Sequence, residues 1–313
     1  MVNVPESDFT STASNTTTTA DGTDVAELRR IAVHLAETAA AHVRERRPQV
    51  FGPGAVEDEA MQSKSTPTDP VTIVDTETEA LVRRLVDELR PGDYVVGEED
   101  GGTLADDQEA VQWVVDPIDG TVNFVYGIPA YSVSVAAVRG GQSVAGAVAD
   151  VVHGVTYSAG LGEGAHRSAF GVWGTAGDPV DAPIPLRCNA VDSVSMALVA
   201  TGFAYAPKRR ARQGELIAEL LPEIRDIRRL GSAALDLCMV AEGRVDAHYE
   251  HGLNLWDWAA GALIAAEAGA VLTLPAPTSL GTAGELVVAA APGIAAELSD
   301  LLDRIGVTTP IPV

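Results

Sequence analysis

Positive charge is scarce in this chain: 21 lysines and arginines stand against 44 aspartates and glutamates, a net charge of -23. Non-specific nucleic-acid binding needs a basic face, so this balance argues against it. It suits a protein that gathers divalent cations. Cysteine is scarce too. Cys188 and Cys238 lie in apolar surroundings without CxxC spacing, which predicts buried reduced thiols and a cytosolic compartment. No Gly-Lys dipeptide occurs, which excludes P-loop chemistry, and no G-x-S-x-G occurs, which argues against a serine hydrolase. Long hydrophobic runs are lacking. The most apolar stretch, 258–274, is Ala/Gly-rich and broken by Glu267, so it reads as a core helix followed by a strand and not as a membrane span. Residues 1–23 have neither the basic nor the apolar region of a signal peptide, and their Ser/Thr/Asn content predicts a disordered tail. No internal repeat is visible.

The chain has 313 residues, 46% of them hydrophobic, enough for one large core or two fused halves. Everything is organised around 113–124, Trp113-Val114-Val115-Asp116-Pro117-Ile118-Asp119-Gly120-Thr121-Val122-Asn123-Phe124. The apolar run from Val111 to Val115 fits one buried strand. It delivers two carboxylates three residues apart, with Pro117 stiffening the turn and Gly120 allowing close backbone approach. Acids so placed repel unless a cation lies between them, and hard oxygens suit Mg²⁺, Mn²⁺ or Ca²⁺. The alternative is an Asp-Pro turn whose carboxylates cap backbone amides.

A first helix is expected from the capping pair Asp24/Glu27 to about Arg46, with Arg44, Arg46 and Arg47 in structural roles. A strand is expected at 71–74, then Asp75, then a helix whose capping box is Thr76/Glu79. From spacing alone Asp75 is equally a helix-start residue or a site residue. Another strand, 94–96, ends at Gly97-Glu98-Glu99-Asp100. Strands at 131–138, 144–148 and 155–158 form a hairpin series, and Gly160-x-Gly162 reads as a hairpin turn. A Gly/Pro/Asp-rich link at 171–185 separates an N-terminal half, 24–185, from a C-terminal half, 186–313. The latter alternates strands and helices, the pattern of an α/β layer. Lys208-Arg209-Arg210-x-Arg212 reads as a solvated face or an intersubunit contact.

The central string resembles the D-P-[IL]-D-G-[ST]-x-N-F signature of the inositol monophosphatase family. Four further segments resemble its motifs in order: Lys64-Ser65-x-Pro67-x-Asp69-x-Val71-Thr72-x-x-Asp75, Gly97-Glu98-Glu99, Arg229-x-Gly231-Ser232-Ala233-Ala234, and Glu250-x-Gly252 with Trp256-Asp257-x-Ala259-Ala260-Gly261. Within the family the likeness points to the actinobacterial SuhB-type branch. The resemblance implies a mixed α+β and α/β fold of layers αβαβα, normally a homodimer, and a Mg²⁺-dependent phosphate monoester hydrolase, in the first place an inositol-1-monophosphatase. It implies two to three Mg²⁺ ions: one on Glu98, Asp116 and the Ile118 carbonyl, a second on Asp116, Asp119 and Asp257, and a weaker third on Glu98. Thr121, polarised by Asp75, would orient the attacking water, and the amides of Gly120 and Thr121 would grip the phosphate. Glu250 would accept ring hydroxyls, with Ala233 and Asp116 lining the sugar side. Inhibition by Li⁺ is implied as well. Sister enzymes act on histidinol phosphate, fructose 1,6-bisphosphate or adenosine 3′,5′-bisphosphate, although no base-binding element stands near these motifs. Some SuhB-type relatives are transcription antitermination partners. Asp100 departs from the Ser, Thr or Gly found there in many relatives.

Overall fold

The computed structural model describes residues 22–52, 61–63, 70–102, 104, 107–171 and 182–313. The expected N-terminal tail, Lys64 and most of the link at 171–185 lie outside these residues.

In chain order the elements are α1 (Gly22–Phe51), β1 (Met61–Ser63), β2 (Pro70–Thr72), α2 (Ile73–Leu89), β3 (Tyr94–Gly97), β4 (Gln112–Asp119), α3 (Thr121–Tyr126), β5 (Ser132–Arg139) and β6 (Gln142–Asp150). There follow β7 (Val155–Gly160), β8 (Gly164–Ala169), β9 (Ile184–Pro185), β10 (Leu198–Thr201), α4 (Pro207–Leu220), β11 (Asp226–Arg228) and α5 (Ala233–Ala241). The chain ends with β12 (Ala247–His251), α6 (Leu255–Glu267), β13 (Val271–Thr273), β14 (Leu286–Ala290) and α7 (Ala295–Arg304).

Among the described residues, β3 to β9 form a seven-stranded sheet in sequence order, and a five-stranded sheet runs β11-β10-β12-β14-β13. Period-two alternation divides the first sheet's side chains between two cores. Trp113, Val115, Val133 and Val135 join Leu28, Leu35 and Val43 of α1 and Val82 and Val86 of α2. Val114, Ala136 and Val148 face the other way, toward Leu237 of α5, Trp258 and Ile264 of α6, and Val287 and Ala289 of the second sheet. Beyond that sheet, Val199, Tyr249 and Leu286 pack on Leu216 and Leu220 of α4 and Leu298 and Leu302 of α7. The layers therefore run αβαβα, as the resemblance implied. Helices cover both faces of β4, which is why it reads as a continuous apolar run and is buried throughout.

Several local expectations are corrected. The first helix runs on to Phe51 through Pro48, and Asp24 pairs with Arg139 of β5 where a cap was expected. Arg44, Arg46 and Arg47 are structural as read, reaching the Val151 carbonyl, Glu77 and the Phe124 carbonyl respectively. The strand expected at 71–74 stops at Thr72, because Thr72 is itself the N-cap of α2 and forms the capping box with Asp75. Cys238 is buried as expected, while Cys188 is only partly buried, and both are free thiols. No helix among the described residues is long and apolar enough to cross a membrane, and 258–274 is indeed a core helix followed by β13.

Candidate active site

In a regular strand, residues three apart point to opposite faces. Asp116 and Asp119 do not, because the register of β4 on β5 shifts between them. Such an irregularity re-aims side chains. Here it brings both acids together with Asp257 from the first turn of α6, each offering a carboxylate oxygen within 4.8 Å of the other two. The three line one end of a cavity of about 440 Å³, shared with Glu98, Ile118, Gly120, Thr121, Ala233 and Glu250. The structure thus gathers nine of the ten residues expected at the site around one cavity. Glu98 lines that cavity but stands outside the three-acid cluster.

Asp75 lies behind the cavity wall, fully buried. Its Oδ2 accepts from the Thr72 amide at 2.9 Å, a capping-box bond, and also from the Thr72 hydroxyl at 2.5 Å. Its Oδ1 lies 3.1 Å from Thr121 Oγ1. One oxygen thus serves the helix start, and the other reaches a residue on the cavity wall. Thr121 Oγ1 also lies 2.9 Å from the Ile118 carbonyl. A hydroxyl has one proton, so Asp75 and Ile118 compete for it. Asp257 repeats this economy: its Oδ2 accepts the Asn254 amide at 2.6 Å, completing a capping box on α6.

Asp119 is anchored from α5. Its Oδ2 accepts from Ser232 Oγ at 2.5 Å and from the Ala234 amide at 2.8 Å, so the helix start fixes the carboxylate. Asn123 Nδ2 donates to the Ala130 and Leu230 carbonyls, both at 2.7 Å, joining the central segment to the 229–234 segment. Gly120 has φ +96°, and a Cβ there would meet the carbonyl oxygens of Ala130 and Gly231 at 3.0 Å. This is the close approach its sequence position suggested.

Glu79 was assigned to a capping box with Thr76, but it serves the site's other side. Fully buried, it accepts from the amides of Glu99 at 2.8 Å and Asp100 at 3.1 Å and pairs with Arg83 at 2.6 Å. It thereby holds the turn that carries Glu98. Gly97 makes room for it, since a Cβ there would fall 2.3 Å from its carboxylate. In the basic run at 208–212, Lys208 and Arg210 are exposed as expected, but Arg209 is buried and lines the cavity.

The electrostatics bear on what the site can hold. Burial pushes the Asp119 carboxyl up to about 6, opposed by its bonds from Ser232 and Ala234 and assisted by the charge of Glu98. Burial, then the charges of Glu98 and Asp119, push Asp257 well above the carboxylate range. Burial takes Glu250 up to about 8, with Arg229 pulling it down and Asp119 pushing it up. Crowded carboxylates of this kind are relieved by a divalent cation. The cluster offers only hard oxygens, which fits Mg²⁺ and not a soft metal.

The model of the inositol monophosphatase family matches residues 24–305. The inositol-1-monophosphatase SuhB of Mycobacterium tuberculosis is 56% identical over 292 residues, covering 92% of this chain and 97% of the relative. The solved structure of Mycobacterium tuberculosis SuhB superposes with a TM-score of 0.73 at 52% identity, covering 90% of this chain and 97% of that one. The Nus factor SuhB of Vibrio cholerae is more distant, 34% identical over 238 residues, covering 75% of this chain and 84% of the relative. With fold, motif order and these likenesses in agreement, the chain belongs to the inositol monophosphatase family.

Proposed function

We propose that this chain hydrolyses myo-inositol 1-phosphate to inositol and phosphate with Mg²⁺. The observation that carries the reading is the cluster of Asp116, Asp119 and Asp257 beside Thr121 in one cavity. Asp116, Asp119 and Asp257 would hold one ion, Glu98, Asp116 and the Ile118 carbonyl a second, and Glu98 a weaker third. Bound there, Mg²⁺ supplies a more acidic water and neutralises charge on the phosphate and the leaving oxygen. Thr121 orients the attacking water, and Asp75, 3.1 Å away, accepts the threonine's hydroxyl hydrogen bond, which polarises it and leaves its oxygen free to accept from the water. The amides of Gly120 and Thr121 hold phosphate oxygens. Glu250, on the cavity wall beside Ala233, receives the ring hydroxyls.

Glu79 is a positioning residue in this scheme. Glu79→Gln is expected to weaken Mn²⁺ binding about 10–100-fold, the usual effect of losing a group that orients a ligand. Titration followed by Mn²⁺ electron paramagnetic resonance checks it, and unchanged affinity would remove Glu79 from the account. Glu250 carries a prediction on pH. Its folded pKa of about 8 lies above the ordinary 4.5, so the folded chain holds more protons than the unfolded chain across that window. Stability of the metal-free protein therefore falls as pH rises through it. Buried His248, held down at about 3 against an ordinary 6.5, is neutral in both states above about pH 7.5 and adds little slope there. Chemical denaturation between about pH 7.5 and 8.5 should show the fall, and Glu250→Gln should make it shallower, the raised carboxyls of Asp257 and Asp236 contributing the rest.

We extend the reading to a Li⁺-sensitive homodimer of the cytoplasm. The two free thiols support a reducing compartment. Tyr126, 79% exposed, and Ile128, 48% exposed, support an apolar face for a second copy. The likeness to a protein named Nus factor supports a second reading, an interaction role that does not need the acids. A substrate panel tests the first. Mg²⁺-dependent turnover should be best on myo-inositol 1-phosphate, ahead of histidinol phosphate, fructose 1,6-bisphosphate and adenosine 3′,5′-bisphosphate. Best turnover on another ester would move the substrate and keep the chemistry.

A further inference from the structure

Three of the cavity's acids, Asp116, Asp119 and Asp257, form one cluster, and Arg229 on the wall is met by the charge of Glu250. The wall's other arginine is Arg209, in the first turn of α4 and only 4% exposed. Its Nε donates to the Ile311 carbonyl, and its Nη2 donates to the Thr282 carbonyl at 3.0 Å. Both acceptors are uncharged. Burial lowers its pKa with no charged neighbour opposing, and among the described residues no carboxylate is within ion-pair distance of it. Its Nη1 makes no hydrogen bond among the described residues. That nitrogen lies against Gly252, where a Cβ would stand 1.9 Å from it, so the glycine keeps the guanidinium's place open.

Two neighbours complete the wall. Ala206, the N-cap of α4, lines the cavity and makes no side-chain cap bond, and Pro207 after it has no amide hydrogen, so the positive end of this 14-residue helix is uncapped by any side chain. His251, also on the wall, has Nε2 2.7 Å from the Val307 carbonyl. Nε2 therefore carries the hydrogen, and Nδ1, buried and without a partner, is an acceptor for a hydroxyl.

A monophosphate has one anionic group, and the acidic end of the cavity with its cations accounts for it. A buried cation without a counter-charge is costly to the fold unless a ligand supplies one. We propose that Arg209 and the start of α4 form a second phosphate subsite, so that the chain accepts polyol bisphosphates whose second phosphate lies across the ring from the one hydrolysed. His251 then takes a neighbouring hydroxyl. This inference rests on the phosphatase reading above.

The test compares myo-inositol 1,4-bisphosphate with myo-inositol 1-phosphate. In the wild-type protein with Mg²⁺, the bisphosphate should have a KM about tenfold lower, one charge-assisted contact's worth. Arg209→Gln should bring the ratio of the two KM values to about one, and Arg209→Lys should restore part of it. Calorimetric titration of the wild-type protein with both esters, Ca²⁺ replacing Mg²⁺, makes the same comparison without turnover. Equal affinity for the two esters, or a preference that Arg209→Gln leaves intact, would overturn the subsite. Turnover of neither ester would overturn the phosphatase reading instead, and the calorimetric ratio would still decide the subsite.

Discussion

Replacing Asp116 with asparagine is expected to lower Mg²⁺-dependent phosphate release by about three orders of magnitude, roughly 4 kcal/mol of barrier. Asp116 is the acid common to both of the main ion sites in the proposed scheme. Its Oδ1 accepts the Ile118 amide at 3.0 Å, and an asparagine oxygen can accept the same bond. The turn should therefore survive while the negative charge is lost. Steady-state phosphate release beside a circular dichroism melt separates the two effects. A folded Asp116→Asn protein that keeps more than about a tenth of wild-type turnover would place the ions elsewhere.

Asp257→Asn should move stability and activity in opposite directions. In the metal-free protein the ionised Asp257 is opposed first by burial and then by Glu98 and Asp119, so neutralising it relieves the folded state. The amide oxygen can still accept from the Asn254 amide, which keeps the cap on α6. The metal-free melting temperature should rise, by about 1.5 °C per kcal/mol relieved. Turnover should fall about 10³-fold, because the Asp116, Asp119 and Asp257 set loses a charged ligand. The stabilisation that Mg²⁺ confers on the wild-type protein should largely vanish. Differential scanning fluorimetry with and without Mg²⁺ gives all three temperatures. A metal-free melting point lowered by Asp257→Asn would show that the carboxylate is structural and not held in reserve for a cation. Such an exchange of stability for function is common at active sites.

The residues whose chemistry was legible in the sequence share a property: each sits in a short string whose local geometry already restricts it. Asp116 and Asp119 end a strand that must be buried, and Gly120 follows where backbone has to approach backbone. The helices and strands of the second half were legible because their periodicities differ and turns separate them. Local pattern failed where two helix starts competed. Thr76 and Glu79 match the Ser/Thr-x-x-Glu box better than Thr72 and Asp75 do, yet Thr72 is the cap, and Glu79 is drawn to amides about twenty residues away. Ser232 and Asn123 were equally hidden, since their partners Asp119 and Leu230 lie more than 100 residues away in the chain. Arg209 was misjudged for the opposite reason. Three basic neighbours made it look solvated, and distant parts of the chain, Thr282, Ile311 and Gly252, close around it.

The measurement that tests the central claim most directly is phosphate release from myo-inositol 1-phosphate as Mg²⁺ is raised from zero into the millimolar range. The clustered acids predict no release without the cation and saturable release with it. A folded protein that releases phosphate equally well in excess chelator, or releases none at millimolar Mg²⁺, would contradict the account.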